Sequence, residues 1–425
     1  MKPNIIFCHV DQLTHTAIRD CGNRFVATPN IDRLRKDGFS FDLSQTAYPV
    51  CCPARASWYT GRMSCEHGVV RNGRPIRDDL PDLGRWLGAR GYDCYYAGKW
   101  HVPGRHPTTS FKEIFPYFDY GEMDDANLAQ IAEAFLDQRV GTEPFFLNIG
   151  FENPHDVCYL NLSKDSPSMK LGIEFVLRDH LPPLPANYDA SCPIENDFHV
   201  PDWSSEQVRL YGYYYYRMVE MVDAEIGRVY AALQRFPGRD NTLFIFSSDH
   251  GELSGSHNRI TKNLLWEESL RVPLTFVWPG KIPAGGIDDT HCVSGVDVTA
   301  TILDYAGAPS MPGMTIARSV RPLFSDPDAS WREYTPSETL YDGLQQGFRD
   351  TRYKSIFNLE DGTVKLFDFV KDPQEMTDLA DHDEYAAVLR RHRNFLKDYN
   401  ETMEWSDAYR AEVAKRNIRL EMLVR

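Results

Sequence analysis

The chain has 425 residues, 42% of them hydrophobic, and carries 61 acidic against 46 basic side chains for a net charge of −15. That length supports one large core with an appendage, or two domains, while the acidic balance excludes a nucleic-acid surface, which needs clustered Lys and Arg. No run of about 18 apolar residues occurs, which excludes a membrane-spanning helix and leaves a small molecule as the expected partner.

Short apolar runs alternate with helical patterns, as parallel strands joined by crossover helices would require. Residues 4–10 (NIIFCHV) read as a buried strand that runs into Asp11 and Gln12. Residues 79–91 read as a helix closed by Gly91, and residues 92–98 and 144–151 as further strands. From Asp156 to about Ser205 the chain is Pro-rich and irregular, which predicts a long loop covering a site. Residues 206–236 have helical apolar spacing, so the run Tyr213–Tyr216 is expected in helix packing rather than in a ligand cage. Residues 241–252 follow as a strand whose polar end carries Asp249 and His250.

The last hundred residues change character. Residues 350–380 alternate like short antiparallel strands with a turn at Glu360–Gly362, a helical stretch follows over 384–401, and a charged tail runs to Arg425. The expected organisation is an α/β catalytic domain over 1–335 and a smaller C-terminal α+β domain with its tail over 336–425. The tail from Trp405 reads as an arm for subunit exchange in a homo-oligomer. The nine cysteines are odd in number and show no CxxC spacing, so buried free thiols are expected. The segment after Met1 lacks a signal-peptide core, which predicts a cytoplasmic protein if Met1 is the native start.

Asp11 with Gln12 and Asp249 with His250 each follow a strand, and in open α/β sheets ligands bind at the carboxyl ends of strands. Two carboxylates, an amide oxygen and an imidazole suit Ca²⁺, Mg²⁺ or Mn²⁺ better than structural zinc. Taken alone, either pair is more simply a helix or turn cap. Cys8 and His9 read as packing. The loop from Asp156 to Ser205 and the segment 337–350 are expected to line the pocket mouth. There Tyr159, Trp203 and Tyr341 can stack on a sugar or box a quaternary ammonium, although such residues more often pack.

One stretch decides between these readings. YPVCCPARASWYTGR (48–62) resembles the sulfatase signature, Cys-x-Pro-Ser/Ala-Arg followed by Thr-Gly. Further blocks resemble that family in its order: VDQ (10–12), GKWHVPG (98–104), NPHD (153–156), SSDHGE (247–252) and KNLLWEESLRVPL (262–274), with VDVTATILDYAG and KLFDFVKDPQEMTDLA as closing elements. The resemblance implies an alkaline phosphatase/sulfatase-like fold, a large mixed sheet flanked by helices with a smaller C-terminal antiparallel sheet and helix. It implies a formylglycine at Cys51, two before Pro53, made by a maturase. Asp11, Gln12, Asp249, His250 and the Cys51-derived hydrate would hold one divalent ion, with Ca²⁺ the family's usual choice and Mn²⁺ or Mg²⁺ the others.

The resemblance also assigns roles. One hydroxyl of the hydrate attacks the sulfur of a sulfate monoester to give a covalent sulfo-enzyme, and loss of a proton from the other releases sulfate. Arg55 and Lys99 orient the hydrate, His101 takes the proton, and His155 with Lys262 bind the sulfate oxygens and protonate the leaving alcohol. His257 is left as a substrate contact. Gln12 and His250, where many sulfatases have Asp and Asn, resemble the choline sulfatases and phosphonate monoester hydrolases. A phosphonate monoester or phosphodiester hydrolase is therefore the alternative activity. A silent binding protein is a third reading, opposed by the presence of every expected polar residue from Asp11 to Lys262.

Overall fold

The computed structural model describes residues 2–118, 120–163, 180–194 and 203–418. Strand β1 (Asn4–Asp11) is buried at every position after its first, as an apolar strand covered on both faces must be. Around it assemble β2 (Phe39–Phe41), β4 (Asp93–Gly98), β5 (Lys112–Phe115), β6 (Phe145–Pro154), β7 (Thr242–Ser248), β8 (Leu274–Val277) and β9 (Gly286–Asp288), in the order β5-β4-β6-β1-β7-β8-β2-β9. All neighbours pair in parallel except β8, which runs against β7 and β2. A short pair, β3 (Ser44–Gln45) with β10 (Val293–Ser294), lies beside this sheet.

Alternation along β1 sorts its side chains between two cores. Ile6, Cys8 and Val10 face helices α5 (Gly121–Gln138) and α6 (Ser205–Arg235), where Leu128, Leu136, Val222 and Ile226 are buried. Ile5 and Phe7 face the opposite layer of α2 (Cys51–Thr60), α4 (Leu83–Gly88) and the helix Gly295–Tyr305, with Tyr59, Leu87 and Ile302. The smaller helices α1 (Pro29–Asp37) and α3 (Ser64–His67) complete this part of the chain. The helix expected over 79–91 is shorter, because Asp82 caps it by accepting the Arg85 N–H at 3.0 Å. Tyr215 in α6 is buried, and Tyr213 and Tyr214 pack around Leu181 and Leu210.

The C-terminal sheet contains β11 (Thr335–Thr339), β12 (Gln345–Arg349), β13 (Tyr353–Asn358) and β14 (Val364–Asp368), antiparallel in sequence order. Its core is shared with the first part of the chain: Phe348, Phe357 and Tyr399 cluster with Met63, Cys65 and Val70. Glu338 ties the two parts, donating its N–H to the Ala47 carbonyl at 3.0 Å and accepting from Cys65 N–H at 3.0 Å. Residues 406–418 are no free arm, and the rest of the tail lies outside the described residues. Helix Asp407–Lys415 docks by Ser406 N–H to the Cys65 carbonyl at 2.7 Å and buries Tyr409, a packing that the charge count of the tail concealed. No helix among the described residues is long and apolar enough to cross a membrane.

Candidate active site

The parallel strands β4, β6, β1 and β7 end along one edge of the sheet, and each delivers polar side chains there. β1 ends on Asp11 and passes into Gln12, β4 runs into Lys99 and His101, β6 into His155, and β7 into Asp249 and His250. Gly98 permits the tight exit of β4, since its φ is 87° and an added Cβ would lie 2.2 Å from the Gly150 carbonyl oxygen.

Helix α2 meets this edge end-on, with Cys51 as its first residue and every side chain buried. Pro53 stands in the first turn, where a backbone N–H has no helical acceptor, so the proline removes nothing. Cys51 and Arg55 are four apart and share a face. Gly61 closes the helix in the left-handed region (φ 65°) and donates to the Ser57 carbonyl at 2.8 Å, which explains the Thr60-Gly61 pair as a C-cap.

One ligand atom each from Asp11, Cys51, Asp249 and His250 falls within 4.8 Å of the others, all four residues being buried. Cys51 Sγ is 3.2 Å from His250 Nε2 and 3.7 Å from Asp11 Oδ1. His250 Nδ1 lies 2.9 Å from the Gly251 carbonyl, to which it donates, leaving the Nε2 lone pair facing the cluster in the tautomer a metal ligand needs. Arg55 is wholly buried and bridges both carboxylates, with Nε to Asp249 at 2.8 Å and a terminal nitrogen to Asp11 at 3.1 Å. Its remaining nitrogen donates to the Lys99 carbonyl at 2.7 Å. The guanidinium thus fixes the carboxylates from behind.

Burial, and then the charge of Asp11, push Asp249 up to about 6. Asp11 is held well below the usual range because Lys99, His155 and Arg55 outweigh its burial. Two facing carboxylates and an imidazole lone pair form a donor set that fits a divalent ion. The Cys51 thiol is lowered well below its ordinary value, since Lys262, His250 and Lys99 overcome its burial and Asp11.

Lys99 Nζ bonds Asp11 at 2.8 Å and Glu152 at 2.9 Å. Glu152 in turn lies 2.9 Å from His155 Nδ1. Gln12, expected as a ligand, stands beside the cluster: its Nε2 donates to Glu252 at 2.5 Å and its Oε1 accepts from Lys262 Nζ. The Gln12 backbone donates to Asp249 at 3.1 Å, and its carbonyl accepts from Tyr215 at 2.8 Å. Gln12, His101, Thr261 and Asn263 all have positive φ, a concentration of strain beside the cluster. His101 is exposed, and bonds to Cys51 and Cys52 outweigh desolvation and raise it to about 10.

Glu152, Glu252 and Tyr215 escaped the sequence reading. An acid ending the otherwise apolar run that becomes β6 was the signal for Glu152, and Glu252 lies inside the quoted SSDHGE. His257 lines a different cavity, where it stacks on Trp266 at 4.0 Å. Trp203 is buried against Tyr211 as packing. Cys8 and His9 are interior, His9 bonding Asn148 at 2.8 Å.

A cavity of about 580 Å³ opens beside Cys51, its inner end formed by Val50, His155, Cys158 and Lys262. Tyr159 and the segment Thr339–Tyr341 line it, while residues 164–179 and 195–202 of the long loop lie outside the described residues.

A family model described as Sulfatase matches residues 3–308, and one described as N-sulphoglucosamine sulphohydrolase, C-terminal, matches residues 255–402. The chain is 26% identical over 453 residues to an arylsulfatase of Clostridium perfringens, covering 93% of this chain and 94% of that protein. It is 27% identical over 443 residues to a Delta 4,5-hexuronate-2-O-sulfatase of Bacteroides thetaiotaomicron, covering 94% and 89%. The phosphonate monoester hydrolase of Agrobacterium radiobacter shares the fold, with a TM-score of 0.78 over 95% of this chain and 96% of that one at 23% identity.

Proposed function

Because the chain belongs to the sulfatase family, we propose that its reactive residue is Cys51 converted to formylglycine by a maturase. It is a sulfuric ester hydrolase, releasing sulfate and an alcohol from sulfate esters. The observation that carries the proposal is the position of Cys51 at the start of α2, within 4.8 Å of the ligand atoms of Asp11, Asp249 and His250 and beside the cavity.

As an aldehyde hydrate, the modified residue supplies one hydroxyl to attack sulfur and a second whose deprotonation expels sulfate and restores the aldehyde. Asp11, Asp249 and His250, with Gln12 beside them, would hold a divalent ion, which would supply charge to offset the repulsion of an anionic ester. Calcium is the first choice, manganese or magnesium the others. Arg55 and Lys99 hold the carboxylates in place. Lys262 and His155 line the cavity, where they neutralise ester oxygens and protonate the departing alcohol. His101 accepts the proton of the second hydroxyl, since conversion of Cys51 removes the sulfur that holds the imidazole protonated. The nine unpaired cysteines support a reducing cytoplasm as the location.

The likeness to a phosphonate monoester hydrolase favours a second reading, since phosphoryl and sulfuryl transfer share geometry and charge. Matured, metal-loaded protein given an aryl sulfate and the matching aryl phosphonate monoester should show the higher kcat/KM on the sulfate. The reverse order would select the second reading, and turnover of neither would leave a silent binding protein.

A further inference from the structure

The cavity beside Cys51 is unusual for so acidic a chain. Among the described residues its lining includes Arg71, His155, Lys262 and Arg416 but no Asp or Glu. The inner pair, His155 and Lys262, belongs to the site already described. The outer pair differs in how it is neutralised. Arg416 is paired, with Nε 2.5 Å from Glu360 and a terminal nitrogen on Glu412. Arg71 is exposed and stands close enough to Glu412 to lower that carboxyl, but Glu412 is bonded by Arg416, and the Arg71 guanidinium has no hydrogen bond or ion pair of its own among the described residues.

Arg71 is also fixed relative to the reactive residue. Its neighbour Asn72 accepts the backbone N–H of Cys52 at 3.1 Å through Oδ1, so the loop that carries Arg71 is tied to the first turn of α2. The amide nitrogen of Asn72 is left to the cavity it lines. The volume, about 580 Å³, is in the range that encloses a ring-sized ligand and exceeds what a sulfate group alone fills.

We propose that this cavity is an anion-reading subsite: the substrate is a sulfated sugar whose ring carries a second negative charge, a carboxylate or another sulfate, paired with Arg71 and Asn72. The proposal rests on the sulfatase reading of the same site. It sets this chain against a choline-type ester, since a quaternary ammonium would meet two arginines, a lysine and no carboxylate in the lining.

Two measurements test it. In the first, kcat/KM is compared for a sulfated hexuronate, a disulfated hexose, a monosulfated neutral hexose and choline sulfate, in wild type, Arg71→Ala and Arg71→Glu. Wild type should prefer an anionic ring. Arg71→Ala should lower the anionic-to-neutral ratio about tenfold, the usual weight of a charge-assisted pair, and Arg71→Glu should lower it further. Which anionic ester leads tells carboxylate from sulfate. An unchanged ratio in both variants, or a wild-type preference for choline sulfate, would overturn the proposal. In the second, Cys51→Ala protein is titrated calorimetrically with the sulfated hexuronate and the neutral ester, with and without Arg71→Ala. Tighter binding of the hexuronate that is lost with Arg71 supports the subsite even if no ester is hydrolysed, which would count against the sulfatase reading alone. Equal binding of both esters refutes the subsite whatever the activity.

Discussion

Glu152→Gln removes a charge from the interior while keeping the shape. Glu152 is 1% exposed, sits 2.9 Å from Lys99 Nζ and lies 2.9 Å from His155 Nδ1. Breaking a buried pair by removing one partner costs about 3–5 kcal/mol, and because Lys99 keeps Asp11 at 2.8 Å the lower end, about 3 kcal/mol, applies here. The pH dependence has a definite sign. Lys99 and His155 overcome burial and depress Glu152 to about 2. The stabilisation is therefore complete above the ordinary carboxylate range and is lost as pH falls through about 2. Urea unfolding should show the full deficit at pH 7 and a shrinking one as acidity rises through that window. Activity gives an independent reading. His155 is already lowered by burial, Lys99 and Lys262, and Glu152 is the first charge raising it. If protonated His155 serves the leaving alcohol, Glu152→Gln should move the alkaline fall of the pH–rate profile downwards by about one unit. The loss should be greater on an alkyl sulfate than on an activated aryl sulfate. An unmoved alkaline limb, with equal losses on both esters, would refute the coupling of Glu152 to His155.

Two further outcomes follow from the cluster. Peptide mass spectrometry of protein made with a maturase should find Cys51 lighter by the exchange of H₂S for O and Cys52 unchanged; modification of Cys52 alone would reverse the assignment. Asp11→Asn and Asp249→Asn should each lose the divalent ion by elemental analysis and leave residual turnover roughly 10²-fold or more below wild type, since each removes a charged ligand. Stoichiometric metal in the double variant would place the ion elsewhere.

The order of polar blocks along the chain was legible because each lies where a strand ends, and strands such as Asn4–Asp11 and Thr242–Ser248 announce themselves by continuous apolar character. What escaped was polar structure buried by other polar structure. Thr335–Thr339 and Gln345–Arg349 are strands with almost no apolar alternation, because their hydroxyls and amides are satisfied by distant partners, as Ser337 is by the Thr46 carbonyl at 2.8 Å. Tyr215 escaped for the same reason, and so did the pairing of Glu152 with Lys99, since these partners stand far away in sequence. Gln12 is expected on the ion from its place in the motif, and its amide also bonds Glu252 and Lys262, 240 and 250 residues away, partners that no local spacing reveals.

The burial of α2 carries a consequence for timing. Cys51 is 1% exposed, and the side chains around it come from segments synthesised later, from Lys99 through His250 to Lys262. The adjoining cavity, about 580 Å³, admits a ring-sized molecule but not a modifying protein. If Cys51 is converted as proposed, the converting protein must act before this wall closes, on a nascent or unfolded chain. On that proposal the yield of active protein is a kinetic partition, set by maturase supply against translation speed.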